Sequence, residues 1–299
     1  MDKVSILALQ HEITKLEQAL TAKRRQLEEL QSLKNESVQN VALTQDILLE
    51  NKINNQAPPE AKIALFRSLF KGREDIYAKR FESKKTGKSG YQPVCRNEWV
   101  QVVCEKPKIS CNNCPKRSLE PITDEVIRNH LAGFIPSKNE WKSPTPFVMG
   151  VYPLLQDETC NFLAVDFDKD TWQEDVKAFI DTCKLENIPA ALERSHSGNG
   201  AHVWIFFDKP VTAANARKLG SFLMTKTLDR RPEIGLDSFD RFFPNQDTLP
   251  KGGFGNLIAL PLQKSAREKN HSVFIDGDMS PYPDHWAYLS SIKLFDENK

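Results

Sequence analysis

The stretch NFLAVDFD, residues 161–168, constrains the fold more than any other. It reads as a β-strand in which Leu163, Val165 and Phe167 pack on one face. Asp166 and Asp168, two positions apart, share the opposite face. A second strand, AHVWIFF at 201–207, lines up His202, Trp204 and Phe206 on one side. Between and after these strands, TWQEDVKAFIDTCKLE and TAANARKLGSFLMTKTL read as helices, and NLIALPLQ at 256–263 reads as a further strand. Upstream, residues 61–83 are read as a helix. Alternating strands and helices predict an α/β (α+β) fold.

Two carboxylates side by side repel each other and resist desolvation unless a cation sits between them. Hard oxygen ligands suit Mg²⁺ or Mn²⁺. The alternative is a strand end in solvent carrying two aspartates. Before the second strand, Ser195-His196-Ser197-Gly198-Asn199-Gly200 forms a glycine turn that frees the backbone to approach a ligand closely. It is not a dinucleotide fingerprint, because it lacks a third glycine and runs into a strand rather than a helix. Nor is Pro250-Lys251-Gly252-Gly253 a Walker loop. A turn with Ser197 and His202 can still hold a triphosphate, although a hydrogen-bonded core histidine is the other reading of His202. A third acidic element, around Asp237 and Asp240, offers another carboxylate beside Arg241.

The whole chain of 299 residues carries a formal charge of only +1, with 39% hydrophobic and 27% charged residues. That is ordinary globular composition. The neutrality conceals structure along the chain. Residues 61–120 hold 14 basic and 6 acidic side chains, net +8, and residues 121–180 hold 5 and 10, net −5. The basic block interleaves Phe66, Phe70, Tyr77, Phe81 and Tyr91, a pattern suited to phosphate and stacked bases; a solvated cationic surface is the alternative. No apolar run approaches the roughly 18 residues of a membrane span. The first residues lack a signal-peptide core, so a cytoplasmic location with no membrane partner is expected.

Ile6, Leu9, Ile13, Leu16, Leu20, Lys23, Leu27 and Leu30 follow heptad spacing. This predicts a coiled-coil helix over 1–33 and a homo-oligomer of modest stability, weakened by Lys23 in the seam. An Asn/Gln-rich linker with one short helical segment around 41–49 is expected over 34–60, and the globular part over 61–299. Four of the six cysteines, Cys95, Cys104, Cys111 and Cys114, fall within twenty residues. They predict one structural Zn²⁺, with His130 as a possible substitute ligand. Free thiols or a redox pair at Cys111 and Cys114 are the alternatives. Cys160 and Cys183 read as core residues.

Taken together, FKGREDIYAKRF, GYQPVCRNEW, FLAVDFD, ERSHSGNGAHVWIFF, FDRFFPNQDTLPKGGFGNLIALPLQ and DHWAYLSSIK resemble the archaeo-eukaryotic primase superfamily. The resemblance is to the primase–polymerase domain of TOTE conflict systems and of CRISPR-associated primase–polymerases, and it spans about 65–293. It implies an RRM-like palm joined to a second α/β module. It also implies nucleotidyl transfer from NTP or dNTP onto primers on single-stranded DNA or RNA, by a two-metal carboxylate mechanism. Asp166, Asp168 and Asp240 would hold Mg²⁺ or Mn²⁺, with Asp237 competing for the third place. Ser197, Gly198, Gly200 and His202 would receive the triphosphate, with Arg241 and Lys251 as further phosphate contacts. Helicase or nuclease modules are the partners that relatives of this type imply. A catalytically inert zinc-stabilised binding module and a two-metal nuclease remain the alternatives.

Overall fold

The computed structural model describes residues 53–296, apart from 84–85, 138 and 140–142, together with Leu20, Lys23 and Arg24. The coiled-coil seam of 1–33 and the linker segment up to residue 52 otherwise lie outside the described residues. The chain divides into two units, Met1–Lys52 and Ile53–Lys299, and the second holds the two larger β-sheets, a two-stranded sheet (Phe134–Ile135 with Thr145–Pro146) and the acidic strand.

Helix α1 (Pro59–Leu69) starts at the Pro58-Pro59 pair, since proline at a first helical position brings a preset φ and lacks only an N–H that would have no partner there. It buries Ile63, Phe66 and Leu69. The helix expected over 61–83 stops at Leu69. Beyond it Gly72 passes so close to the next layer that a Cβ would lie 2.5 Å from the Tyr152 carbonyl oxygen and from Val151 Cγ2. Residues Ala78–Glu82 then form strand β1 rather than more helix. β2 (Ser89–Pro93), α2 (Asp124–Ala132), β3 (Phe134–Ile135), β4 (Thr145–Pro146) and β5 (Met149–Val151) come after it. Next come β6 (Thr159–Asp168), α3 (Trp172–Leu185), β7 (Ala191–Arg194), β8 (Gly200–Thr212), α4 (Ala213–Arg230) and β9 (Phe239–Phe243). β10 (Ile258–Ala259), α5 (Lys264–Arg267), β11 (Val273–Phe274) and α6 (His285–Ser291) complete the order.

Two sheets organise these elements. One has the order β10-β5-β1-β2 and the other β11-β7-β8-β6-β9, with antiparallel neighbours throughout. Within the larger sheet, β6-α3-β7-β8-α4-β9 is a βαββαβ unit whose first and third strands lie at the centre, the arrangement of an RRM-like palm. The strand expected over 256–263 shrinks to Ile258–Ala259. Pro261 has no N–H for a ladder, and Leu262 takes φ 67° to turn its own N–H toward the Ser272 carbonyl.

The face alternation read from sequence decides the packing. Leu163, Val165 and Phe167 of β6, with Val203 and Ile205 of β8, bury under Val176 and Phe179 of α3 and Leu223 of α4. On the other face Phe162, Ala164, Trp204 and Phe206 pack against Phe66 and Phe70 and against Met149 and Val151 of the smaller sheet. That cover ends at Ala164 and Trp204. The next positions on the same face are Asp166, Asp168, His202 and Gly200. Among the described residues no helix is long and apolar enough to cross a membrane.

Candidate active site

Antiparallel pairing sets Asp166 opposite His202 and Asp168 opposite Gly200 across β6 and β8. On the other side of β6, Asp166 pairs with Arg241 and Phe167 with Phe239, so β9 carries one extra residue, Asp240. This bulge turns Asp240 toward Asp166, as bulges do when they re-aim a side chain. Carboxylate oxygens of Asp166, Asp168 and Asp240 lie within 4.8 Å of one another. Asp237 does not join them; its backbone carbonyl accepts from Lys169 Nζ at 2.8 Å.

The turn ahead of β9 is anchored from α3. Asp175, 3% exposed, accepts the Ser238 N–H at 3.1 Å and the Ser238 hydroxyl at 2.5 Å. The Ser238 carbonyl in turn accepts the Asp168 N–H at 2.7 Å. Asp240 is paired with Arg241, whose Nε donates to it at 2.5 Å.

Asp166, its side chain 13% exposed, is pushed up to about 6, mainly by burial, with repulsion from Asp168 and Asp240 adding to it. His202 Nε2 lies 3.5 Å from Asp166 Oδ1. Burial alone would lower the histidine, but Glu193, Asp166 and Asp168 outweigh it and raise it to about 9. With Nδ1 turned to Glu193 at 3.0 Å, Nε2 is the ring nitrogen on the Asp166 side.

Both glycines of the turn are also required by close packing within the protein. A Cβ at Gly200 would sit 2.6 Å from Asp168 Oδ1, and one at Gly198 (φ 81°) would sit 2.2 Å from His271 Nε2. The room these glycines leave is taken by the protein's own side chains. Ser197 Oγ accepts the Asn199 N–H at 3.2 Å and lies 3.0 Å from Ser195 Oγ, keeping Ser197 on the same edge as Asp168. His196, in this turn, is held below its ordinary value first by burial and then by Arg80, His271 and Lys269.

Lys251 is not brought to the carboxylates. Its loop is tied to the opposite end of β6, where the Leu249 N–H donates to Glu158 at 3.2 Å, just before the strand begins. A ten-residue strand spans roughly 30 Å, far beyond the reach of one lysine. The Cys95, Cys104, Cys111 and Cys114 side chains line one cleft with Glu98 and Lys106. Even so, among the described residues only the aspartate triad brings three possible ligand atoms within 4.8 Å. His130 is excluded from the cysteine cluster: it is fully buried, its Nε2 lies 2.9 Å from the Pro261 carbonyl and its Nδ1 accepts the Met149 N–H at 3.2 Å.

Sequence reasoning missed Glu193, which is 1% exposed and bonded to His202 Nδ1 at 3.0 Å and to Trp204 Nε1 at 2.8 Å. Its only signal was a lone acidic residue inside an apolar strand, ALER. Three clustered carboxylates form an all-oxygen, hard donor set that fits Mg²⁺ or Mn²⁺; oxygens sharing one such ion lie at most about 4 Å apart, so a small inward motion suffices.

Residues 61–299 match the family model for the TOTE conflict system, Archaeo-Eukaryotic Primase domain. Among solved structures, the polymerase domain of ligase D from Mycobacterium tuberculosis, in complex with DNA, is similar at 13% identity. It covers 80% of this chain and 83% of that one, with a TM-score of 0.40. No curated protein matches the chain in sequence.

Proposed function

The chain belongs to the archaeo-eukaryotic primase domain family of TOTE conflict systems, and on that premise we propose that it is a primase–polymerase. It would transfer nucleotides from NTP or dNTP onto a primer strand along a single-stranded DNA or RNA template. One observation carries this reading: Asp166, Asp168 and Asp240 converge within 4.8 Å beside His202, with Asp168 and Asp240 exposed to solvent.

Asp166, Asp168 and Asp240 would hold the divalent cations. Bound there, such cations activate a primer 3′-hydroxyl and neutralise charge on the triphosphate. His202 donates from Nε2 to a phosphate oxygen, and the Ser197 hydroxyl donates from the neighbouring turn. Arg241, already beside Asp240, adds a guanidinium at the same edge and stabilises negative charge on the departing pyrophosphate. This reading leaves Lys251, whose loop is tied at Leu249 to the other end of β6, outside the set of phosphate contacts. The four cysteines, gathered around one cleft, support a structural Zn²⁺. Oligomerisation through 1–33 and association with helicase or nuclease modules belong to the same proposal.

The test is incorporation of labelled nucleotide on a single-stranded template with Mg²⁺ or Mn²⁺, comparing ribo- and deoxynucleotides. Asp166→Ala is expected to abolish it. Incorporation that survives this change overturns the reading. Strand cleavage without nucleotide would favour a nuclease, and salt-sensitive strand binding without incorporation would favour an inert binding module.

A further inference from the structure

We propose that Glu193 is a positioning residue: it fixes the imidazole of His202 so that Nε2 faces the triphosphate. The proposal rests on the nucleotidyl-transfer reading above and deepens it.

Glu193 sits directly opposite His202 in the β7–β8 ladder. Its Oε2 takes two hydrogen bonds at once, from His202 Nδ1 at 3.0 Å and from Trp204 Nε1 at 2.8 Å, while Ser272 Oγ lies 3.5 Å from Oε1. At 1% exposure this carboxylate has given up its water. Burying a carboxylate is costly unless it is paired, and an apolar residue of similar volume often stabilises a core as well or better. Among the described residues no lysine or arginine forms an ion pair with Glu193, and its one ionic partner is His202. Stability alone does not account for an acid at this place.

Ring orientation does. A histidine on a strand can turn about its Cβ–Cγ bond, and either nitrogen can then face the site. With Nδ1–H committed to Glu193, a flipped ring loses a buried hydrogen bond, so Nε2 stays on the side of Asp166, 3.5 Å away. The anchor is itself rigid. Trp204 is fully buried, meets Phe70 edge-on at 5.0 Å and lies parallel to Phe206. A chain of contacts therefore runs from the core, through the indole and the carboxylate, to the imidazole. Carboxylates behind metal-binding or catalytic histidines act by the same logic, and losing them typically costs 10- to 100-fold.

The experiment is a double-mutant cycle on the full chain, read by calorimetric binding of ATP and of dATP with Mg²⁺. Glu193→Gln is expected to weaken binding by about 10- to 100-fold, and in extension assays the loss falls on KM for the nucleotide. His202→Ala weakens binding comparably, and the double variant is no weaker than His202→Ala alone. Additive losses, or binding unchanged by Glu193→Gln, overturn the proposal. Where Glu193→Gln does not fold, Trp204→Phe removes the second clamp and leaves the acid in place. It is expected to weaken binding less, and only while His202 is present; an equal loss in the His202→Ala background overturns the proposal. A wild-type chain that binds neither nucleotide overturns the functional reading itself, whereas wild-type binding indifferent to Glu193 overturns only the role assigned here.

Discussion

At Gly200 a single missing carbon decides whether Asp168 can take its place in the triad. A Cβ there meets both Asp168 Oδ1 and the Phe167 carbonyl oxygen at 2.6 Å, and the second is backbone that cannot swing aside. Gly200→Ala should therefore cost about 1–3 kcal/mol of stability through overpacking. It should also cut nucleotide incorporation about 100-fold, since misplacement by 1 Å is enough for that; chemical denaturation and the extension assay measure the two effects. His130 makes a prediction in pH. Burial holds it down to about 4, while the unfolded chain protonates near the ordinary 6.5. Between these values unfolding takes up a proton, so stability is full above 6.5 and falls as pH drops toward 4. The loss is about 3 kcal/mol at most. His130→Gln should flatten that segment of the stability–pH curve, and urea midpoints from pH 7 to 4 would show it.

Helix α3 does more than cover the sheet. Through Asp175 it holds the Ser238 backbone and hydroxyl, and Ser238 holds the end of β6, so one buried acid ties the helix to the strand that carries Asp240. Asp175→Ala leaves a buried N–H and hydroxyl without their acceptor. The expected loss is about 3 kcal/mol, with activity falling further than global stability because the β9 bulge loses its anchor. Denaturation and incorporation measured on the same preparation separate the two. The helices α3 and α4 lie within a residue or two of their sequence-read limits, because amphipathic spacing is local information. The expected helix at 61–83 failed for a non-local reason, the close passage of Gly72 over residues 151–152.

On the scale of the whole molecule, the smaller sheet and α1 cover half of one face of the larger sheet and leave the carboxylate half open. The cysteine segment belongs to this arrangement. Arg117 donates to the carbonyls of Gly252 at 2.7 Å and Asn112 at 3.0 Å, and its guanidinium lies 5.1 Å from the Phe254 ring. The cysteine segment and the 250–254 loop thus support each other. Metal analysis should find about one zinc per chain, reduced in Cys111→Ser. Chelation should lower the melting temperature and expose the 250–254 loop to protease. A metal-free preparation with unchanged stability would refute the zinc.

Sequence by itself determined strands β6 and β8, the helices α3 and α4, and which of their residues share a face, because side-chain alternation and helical spacing are properties of neighbouring residues. It therefore placed Asp166 and Asp168 together and His202 on the next strand. Three matters were decided only by tertiary structure. Asp240 rather than Asp237 reaches the pair through a bulge that exists only once β9 lies against β6. Lys251 ends at the far end of the sheet, although it is only eleven residues from Asp240. Glu193 becomes the partner of His202 only through the register of β7 on β8. Each depends on which strands pair and in what register, and that is set by burial of the whole core rather than by any single stretch of chain.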